Sequence, residues 1–419
     1  MWCLNFVRTT PQAPAKVPTQ DMTDPTPATR TARVATATAF ALQGFFLAVL
    51  LTQLPQIKDK FGFSDTTIVI AVVTVSLVAG VGSVLAEFVA TRTSSRTTLR
   101  SGLAVVAVAG LGIALAQGTV AFFAGFAVYG IGLGMIDAAA NMQGVAVQHR
   151  YGRSILSSFH AVWSVGAIVG ALFVSLFAGL DVGFTVTVLI AAAVVAAGAL
   201  VLGPRLLVTG HEHVTAPTAP LAVPLRPFLA LGAAMALFFA IDFSVGNWSA
   251  LYLTDMLLAS TSTAALGVAA YQGAGLVSRL TGDMWVRRYG EIAVVRVGAA
   301  IGAVGMLVVV TATGPAMAIA GFLVVGLGAP IVAPLCFSAA GRLTPPEQTD
   351  AVIARLNLFN YAGTVVGGGI VGAVAAVSNL RVGFLVPLVF AVVLIFLAPA
   401  FRPHLTAAAE VPDSADRPA

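Results

Sequence analysis

Charged residues are scarce in this chain. Only 9% of its 419 residues are Asp, Glu, Lys or Arg, whereas 58% are hydrophobic and the mean hydropathy is +0.95. An average soluble domain contains about 25% charged residues, so this composition excludes an ordinary water-soluble fold. Cysteine is scarce too, since Cys3 lies in a polar N-terminal segment and Cys336 in an apolar run, which excludes a disulfide framework. The composition indicates a membrane protein.

Sequence motifs for ATP-driven or hydrolytic chemistry are also missing. The chain has no Gly-x-x-x-x-Gly-Lys loop, no His-Glu-x-x-His and no Gly-x-Ser-x-Gly. We therefore expect neither an enzyme nor a bound cofactor or metal, and a solvated loop explains the His-Glu-His triplet at 211–213 more simply than a metal site. The net charge of +5 does not indicate nucleic acid, because the basic residues lie in short turns between apolar runs.

Those apolar runs are close to the roughly 20 residues that cross a bilayer as a helix. They predict an all-α membrane protein with twelve transmembrane helices in two six-helix bundles. We number the helices 1 to 12, with predicted spans 34–54, 66–90, 99–116, 120–147, 157–179, 183–202, 228–253, 263–282, 292–312, 316–341, 349–377 and 382–401. The predicted domains are a disordered cytoplasmic tail (1–31), an N-terminal bundle (32–202), a cytoplasmic linker (203–227), a C-terminal bundle (228–402) and a cytoplasmic tail (403–419).

The basic residues predict the orientation, because cytoplasmic loops of membrane proteins are enriched in Lys and Arg. If the N-terminus is cytoplasmic, that side collects Arg92, Arg96, Arg100, Arg150, Arg153, Arg205, Arg226, Arg287, Arg288, Arg296, Arg342 and Arg402. The opposite side keeps only Lys58, Lys60 and Arg381. We therefore expect a multi-pass protein of the cytoplasmic (plasma) membrane, embedded in lipid, with both termini cytoplasmic.

A polar turn at 278–290, S-R-L-T-G-D-M-W-V-R-R-Y-G, links predicted helices 8 and 9. Its Asp283 can pair with Arg279 four residues earlier or with Arg287 four residues later, and Arg288 follows. A charge cluster at a helix end is suited to holding a moving interface in one of two states.

The first half of the chain contains a weaker copy of this turn. Glu87 and Arg92 precede Asp283 and Arg288 by the same 196 residues (283 minus 87), although Thr91 stands where the second copy has an arginine. This spacing predicts two similar halves in parallel orientation. We expect both copies to act in gating.

The turn resembles the loop signature of the major facilitator superfamily, in which an acid and basic residues link two transmembrane helices. Val286 stands where the commoner form of that signature has glycine. The segments G-L-G-M-I-D-A-A-A-N-M-Q (132–143), H-R-Y-G-R-S-I-L-S-S-F-H-A-V-W-S-V-G (149–166) and N-W-S-A-L-Y-L (247–253) resemble the MosC-like branch of that superfamily. The branch is named for a protein implicated in transport of rhizopine, an inositol-derived amine. The resemblance implies the superfamily fold and secondary transport of a small solute by alternating access.

Polar residues recur along one stripe of predicted helix 4. The stripe comprises Gly130, Gly134, Asp137, Asn141, Gly144 and Gln148. Its glycines are typical of a packing seam between membrane helices. Asp137 differs, because a charge at the bilayer centre costs at least about 2.5–3.5 kcal/mol. Its side chain must therefore face water, pair with another group or bind a proton. A coupling or substrate role and a structural hydrogen bond both remain open for this residue.

Three further helices carry candidate substrate or coupling groups. They are His160 and Trp163 on helix 5, Asp242, Asn247 and Trp248 on helix 7, and Asn357 and Asn360 on helix 11. A buried neutral histidine is an equally good explanation of His160. For Arg355, close to the cytoplasmic end of helix 11, simple extension of the charge to the membrane surface and a functional role both remain open.

These residues predict a secondary active transporter, expected to be monomeric and proton-coupled through Asp137 or, as the alternative, Asp242. Amides and tryptophans near a cavity suit a polyol or sugar-like solute, but the same groups serve drug and metabolite exporters. A non-transporting sensor or assembly protein on the same scaffold is the other alternative.

Overall fold

The computed structural model describes residues 25–208 and 223–402. Most of the predicted first tail, residues 209–222 of the predicted linker and the predicted tail 403–419 lie outside the described residues. The transmembrane helices observed are helix 1 (Pro27–Thr52), helix 2 (Asp65–Arg92), helix 3 (Ser95–Leu115), helix 4 (Thr119–Tyr151), helix 5 (Leu156–Gly179), helix 6 (Phe184–Leu202), helix 7 (Leu225–Leu251), helix 8 (Thr261–Tyr289), helix 9 (Glu291–Val310), helix 10 (Pro315–Gly328, resuming as Val332–Ala340), helix 11 (Thr349–Val377) and helix 12 (Leu380–Gly383, then Leu385–Leu397).

Eleven of these twelve helices, within the part of the chain described, are long and apolar enough to cross a membrane by length and composition alone. The exception is helix 8. Its 29 residues are long enough, but its second half carries Arg279, Asp283, Arg287 and Arg288. The helix that composition favours least for insertion is therefore the one that holds the polar turn.

Helix 1 begins earlier than predicted. The side chain of Thr26 caps it by accepting a hydrogen bond from the backbone N–H of Thr29 at 3.2 Å, and Pro27 occupies the first helical position. Both features favour helix initiation. Residues 27–31, which the sequence placed in the disordered tail, are consequently helical.

The two halves repeat the same helix packing. In the first half helix 1 packs on helix 5, helix 4 packs on helices 2 and 3, and helix 3 packs on helix 6. In the second half helix 7 packs on helix 11, helix 10 packs on helices 8 and 9, and helix 9 packs on helix 12. The parallel repeat read from the 196-residue spacing is thus confirmed as a packing repeat. Helices 3, 6, 9 and 12 make their main contacts within their own half.

Glycine permits the closest helix contacts. A Cβ atom on Gly134 of helix 4 would lie 1.9 Å from the backbone oxygen of Ala79 on helix 2, a distance at which the helices would have to separate. The glycine part of the helix 4 stripe therefore forms a packing seam, as its spacing indicated.

Polar contacts between the halves lie from mid-membrane to one end of the molecule. That end carries the turns between helices 2 and 3, 4 and 5, 8 and 9, and 10 and 11, and it is the end predicted to be cytoplasmic. The helices that meet across the interface are helix 2 with helix 11, helix 5 with helix 8, helix 4 with helix 11, and helix 10 with helices 4 and 5.

Candidate functional site

The carboxylate of Asp137 is the centre of a hydrogen-bond cluster that draws on both halves. Gln43 of helix 1 donates to one of its oxygens. From helix 11, Tyr361 donates its hydroxyl hydrogen at 2.7 Å and Asn360 donates its amide at 3.2 Å, both to the other oxygen. No Lys, Arg or His side chain in the described residues forms an ion pair with Asp137. The charge is therefore stabilised by neutral donors alone.

The predicted residues Asn141, His160 and Asn357 extend this cluster. Asn141 donates to the backbone oxygen of Asp137 at 2.9 Å, and its own side-chain oxygen lies 3.2 Å from Nε2 of His160. Asn357 donates to the hydroxyl of Ser83 on helix 2 at 2.8 Å, which makes a second link between the halves. The polar residues of helices 4, 5 and 11 thus meet at one place.

A second acidic centre lies on helix 7. Tyr271 of helix 8 donates its hydroxyl hydrogen to Asp242 at 2.6 Å. The guanidinium of Arg279, two turns further along helix 8, acts electrostatically on both Asp242 and His160. It hydrogen-bonds to the hydroxyl of Ser164 on helix 5 at 2.8 Å. Arg279 is only 8% exposed, so it belongs to the interior of the protein.

The two candidate tryptophans have different surroundings. Trp248 donates its indole N–H to the backbone oxygen of Gly368 at 3.2 Å, so it connects helices 7 and 11 within the second half. The backbone of Trp163 lies against Gly44 of helix 1. Both side chains are half-buried, and Asn247 beside Trp248 is exposed. Trp248 is consequently engaged in helix packing, because its only polar hydrogen already has a partner.

Asp283 does not form the predicted pairs with Arg279 or Arg287. Its carboxylate, in a residue only 6% exposed, accepts hydrogen bonds from the backbone N–H groups of Ser157 at 3.1 Å and Ser158 at 2.9 Å. Both groups belong to the first turn of helix 5 in the opposite half. A helix N-terminus has unsatisfied N–H groups and a partial positive charge, and a carboxylate meets both needs. Asp283 therefore caps a helix of the other half.

Arginines around this cap have separate partners. Arg287 donates to the backbone oxygen of Ser154, just before helix 5, at 2.9 Å, and the Ser154 hydroxyl donates to Asp283 at 2.9 Å. Arg288 lies over the ring of Tyr289 on its own helix. Of the basic residues predicted for this turn, only Arg287 joins the Asp283 contact with helix 5.

Glu87 makes the equivalent contact in the first copy of the repeat. It pairs with Arg355 of helix 11 through three hydrogen bonds of 2.7 to 3.1 Å. Arg355 is exposed near the end of helix 11, and in addition a carboxylate of the other half holds it in place. Arg92 contacts the ring of Phe88 instead. Each half thus sends one acid, Glu87 or Asp283, to the beginning of helix 11 or helix 5 in the other half.

Gln148, the last residue of the helix 4 stripe, and three residues that the sequence analysis did not single out also take part in these contacts. Gln148 accepts from the backbone N–H groups of Ile155 and Leu156, completing the cap of helix 5, and donates to Ser338 of helix 10 at 2.6 Å. Gln43, Tyr271 and Tyr361 were missed because one polar residue in an apolar run gives no periodic signal. Gln43 offered a usable clue, since it is the only amide in the predicted span of helix 1 before its final turn.

Comparison with known proteins places this arrangement in a family. A sequence profile described as Major Facilitator Superfamily matches residues 2–155, 34–256 and 231–418. This chain belongs to the major facilitator superfamily. An uncharacterized MFS-type transporter of Yersinia pestis is 31% identical over 361 residues, covering 84% of this chain and 91% of the relative. Membrane protein MosC of Rhizobium meliloti is 25% identical over 355 residues, covering 83% and 84%, which agrees with the MosC-like resemblance.

Solved structures agree on the superfamily fold. The MFS transporter FucP in the outward conformation superposes with a TM-score of 0.75 at 16% identity, covering 90% of this chain and all of that one. Another structure names FucP as the E. coli fucose:proton symporter, with a TM-score of 0.72 and the same identity. At this identity the likeness establishes the fold, which is the predicted twelve-helix MFS architecture.

Proposed function

We propose that this chain is a secondary active transporter that moves a small polyol or sugar-like solute by alternating access, coupled to protons through Asp137. The observation that carries the proposal is the position of the Asp137 carboxylate between the halves, with Gln43 on one side and Asn360 and Tyr361 on the other. A group whose bonds connect two moving bodies can transmit its protonation state to their relative position.

The coupling follows from hydrogen-bond chemistry. An ionised carboxylate accepts charge-assisted bonds from Tyr361 and Asn360, each contributing about 1.5–3 kcal/mol, whereas a bond to a neutral acceptor contributes about 0.5–1.5 kcal/mol. Protonation of Asp137 therefore weakens the attachment of helix 11 to helix 4. Because those bonds lie on the closed side of the molecule, a bound proton favours opening of the cytoplasmic end.

Pairs at the helix ends complete the proposed gate. Asp283 at helix 5 and Glu87 at Arg355 hold the same end of the molecule closed in this structure. We place this end in the cytoplasm from the arginine distribution, so these contacts close the cytoplasmic side. Closure of the opposite end then has to accompany the breaking of these contacts.

The substrate class rests on the groups that line the mid-membrane region. Asn141, His160 and the hydroxyl of Tyr361 supply donors and acceptors suited to a polyhydroxylated solute. FucP, whose fold this chain shares, is named as a fucose:proton symporter, which supports the same class for this chain. A drug or metabolite exporter is the second candidate, and a non-transporting sensor on the same scaffold is the third.

A two-stage experiment tests the proposal. Purified protein is screened for thermal stabilisation by sugars, inositols, amino acids and common drugs, because a ligand that binds only the folded state raises the unfolding temperature. Each stabilising compound is then offered to proteoliposomes with and without an imposed pH gradient. We expect a sugar or polyol to stabilise the protein and to accumulate only with the gradient. Binding without flux in either direction would favour a sensor, and gradient-independent flux would contradict proton coupling.

A further inference from the structure

Within the described part of the chain, Arg279 is a buried cation that forms no direct ion pair. Its guanidinium carries five N–H donors, and its one hydrogen bond in the structure goes to the neutral hydroxyl of Ser164. Its Nε has no partner among the described residues, although Arg279 is only 8% exposed. Among residues 25–208 and 223–402, no carboxylate lies within ion-pair distance of it.

Both acids near Arg279 are engaged elsewhere. Asp283, one turn along helix 8, caps helix 5, and Asp242 on helix 7 accepts the hydroxyl hydrogen of Tyr271. A buried charge is costly unless an opposite charge and well-placed hydrogen bonds compensate it. The Nε side of the Arg279 guanidinium is therefore left without a compensating contact among the described residues.

We propose that Arg279 binds a carboxylate group of the transported solute, so that the substrate is a sugar acid or a similar hydroxylated carboxylate rather than a neutral polyol. The inference rests on the proposed transport function and adds a charged group to its substrate. A guanidinium matches a carboxylate in a planar, two-bond geometry.

Neighbouring residues suit the remainder of such a molecule. Ser164, which holds the guanidinium, lies one turn from His160, and His160 in turn contacts Asn141. A solute with its carboxylate on Arg279 thus has hydrogen-bonding groups from helices 4 and 5 beside it. The same placement puts the bound anion between a helix of each half, since Arg279 belongs to helix 8 and Ser164 to helix 5.

Matched pairs of compounds test the inference on the purified full-length protein. Glucose is compared with gluconate and glucuronate, and galactose with galacturonate, by thermal shift in wild type, Arg279→Gln and Arg279→Lys. We expect a carboxylate to stabilise the wild type more than its neutral counterpart does. The Kd should rise about 10- to 100-fold in Arg279→Gln, as for loss of a charge-assisted pair, and also in Arg279→Lys, which keeps the charge but not the fork. Arg296→Gln, which removes an exposed arginine on helix 9, should bind like wild type.

The inference is overturned if no carboxylate stabilises the wild type beyond its neutral counterpart, or if the preference survives in both Arg279 variants. Flux measurements separate this failure from failure of the transport proposal. Uptake of neutral glucose or galactose by wild type and Arg279→Gln alike would support the transport function and contradict the carboxylate site. Carboxylate binding that depends on Arg279 but is accompanied by no flux would support the carboxylate site and contradict the transport function.

Discussion

Tyr361 on helix 11 donates its hydroxyl hydrogen to the carboxylate of Asp137 on helix 4 at 2.7 Å, across the boundary between the two halves of the molecule. This one hydrogen bond therefore links the mid-membrane carboxylate of one half to a helix of the other half. Loss of the bond should free helix 11 from helix 4, and loss of the contacts at the helix ends should loosen the same side of the molecule.

Removal of the Tyr361 hydroxyl should loosen the closed end. Tyr361→Phe loses one hydrogen bond to a charged acceptor, about 1.5–3 kcal/mol, which corresponds to a roughly 10- to 100-fold population shift. A cysteine at Val145, which is buried beside Gly341 of the other half, reports on that end in a background lacking Cys3 and Cys336. We expect faster labelling of this cysteine from the cytoplasmic side.

Tyr252→Phe is the matched control for this experiment. Its hydroxyl donates to the backbone oxygen of Val309 at 2.7 Å, and both residues belong to the second half. Labelling should remain at the wild-type rate in this variant. Equal rates in Tyr361→Phe and wild type would mean that the Asp137–Tyr361 bond does not hold the halves together.

Asp283→Asn should impair transport while leaving expression and substrate affinity largely intact. The amide keeps the size of the side chain but loses the charge that stabilises the N-terminus of helix 5, an effect of up to about 2 kcal/mol at a partly buried site. Val145 cysteine labelling should rise up to roughly 30-fold, and the transport rate should fall. Normal transport and unchanged labelling in Asp283→Asn would mean that the charged turn sets only the membrane topology and has no role in gating.

Glu87→Gln should have a smaller effect than Asp283→Asn. The side chains of Arg355 and Glu87 are 47% and 21% exposed, and exposed ion pairs contribute only about 0–1 kcal/mol. A charge exchange, Glu87→Arg with Arg355→Glu, should restore what either single change removes. A larger transport defect in Glu87→Gln than in Asp283→Asn would mean that the Glu87–Arg355 pair contributes more to gating than the Asp283 contact, contrary to this account.

The helix spans could be predicted from the sequence, whereas the contacts between helices could not. The twelve spans and the repeat can be read from apolar run length and from the match of Glu87 to Asp283, both of which are local signals. The partner of Asp283 was predicted on its own helix, whereas the structure places it at helix 5. Spacing along one helix identifies neighbours at three and four residues, but contacts between helices depend on packing angles that this spacing does not reveal.

Asp137 illustrates the same limit. Its cost in a membrane made it conspicuous, and its stripe brought Asn141 into the site. Tyr361 and Gln43 lie more than 90 positions away along the chain, and an isolated tyrosine or glutamine in an apolar run is as common in packing as in function. The part of the site that depends on the closed state was therefore not accessible from periodicity.

Orientation can be measured independently of any substrate. Single cysteines at Thr93, in the turn between helices 2 and 3, and at Ser262, at the beginning of helix 8, are both exposed and lie at opposite ends of the molecule. An impermeant reagent should label Thr93→Cys from the cytoplasmic side and Ser262→Cys from the outside, as the arginine distribution predicts. Labelling of both from one side would contradict the twelve-helix topology, and exchange of the two sides would invert the proposed direction of opening.

Proton coupling through Asp137 is tested most directly by comparing accumulation with exchange in the same proteoliposomes, using a substrate from the thermal-shift screen. Asp137→Asn keeps a hydrogen-bonding side chain between Gln43 and Tyr361 but cannot bind or release a proton. We expect it to abolish accumulation driven by a pH gradient and to retain exchange of labelled for unlabelled substrate at equal pH, while wild type performs both. If Asp137→Asn accumulates substrate against its gradient as wild type does, Asp137 is not the proton carrier, and if Asp242→Asn does so as well, proton coupling through either acid fails.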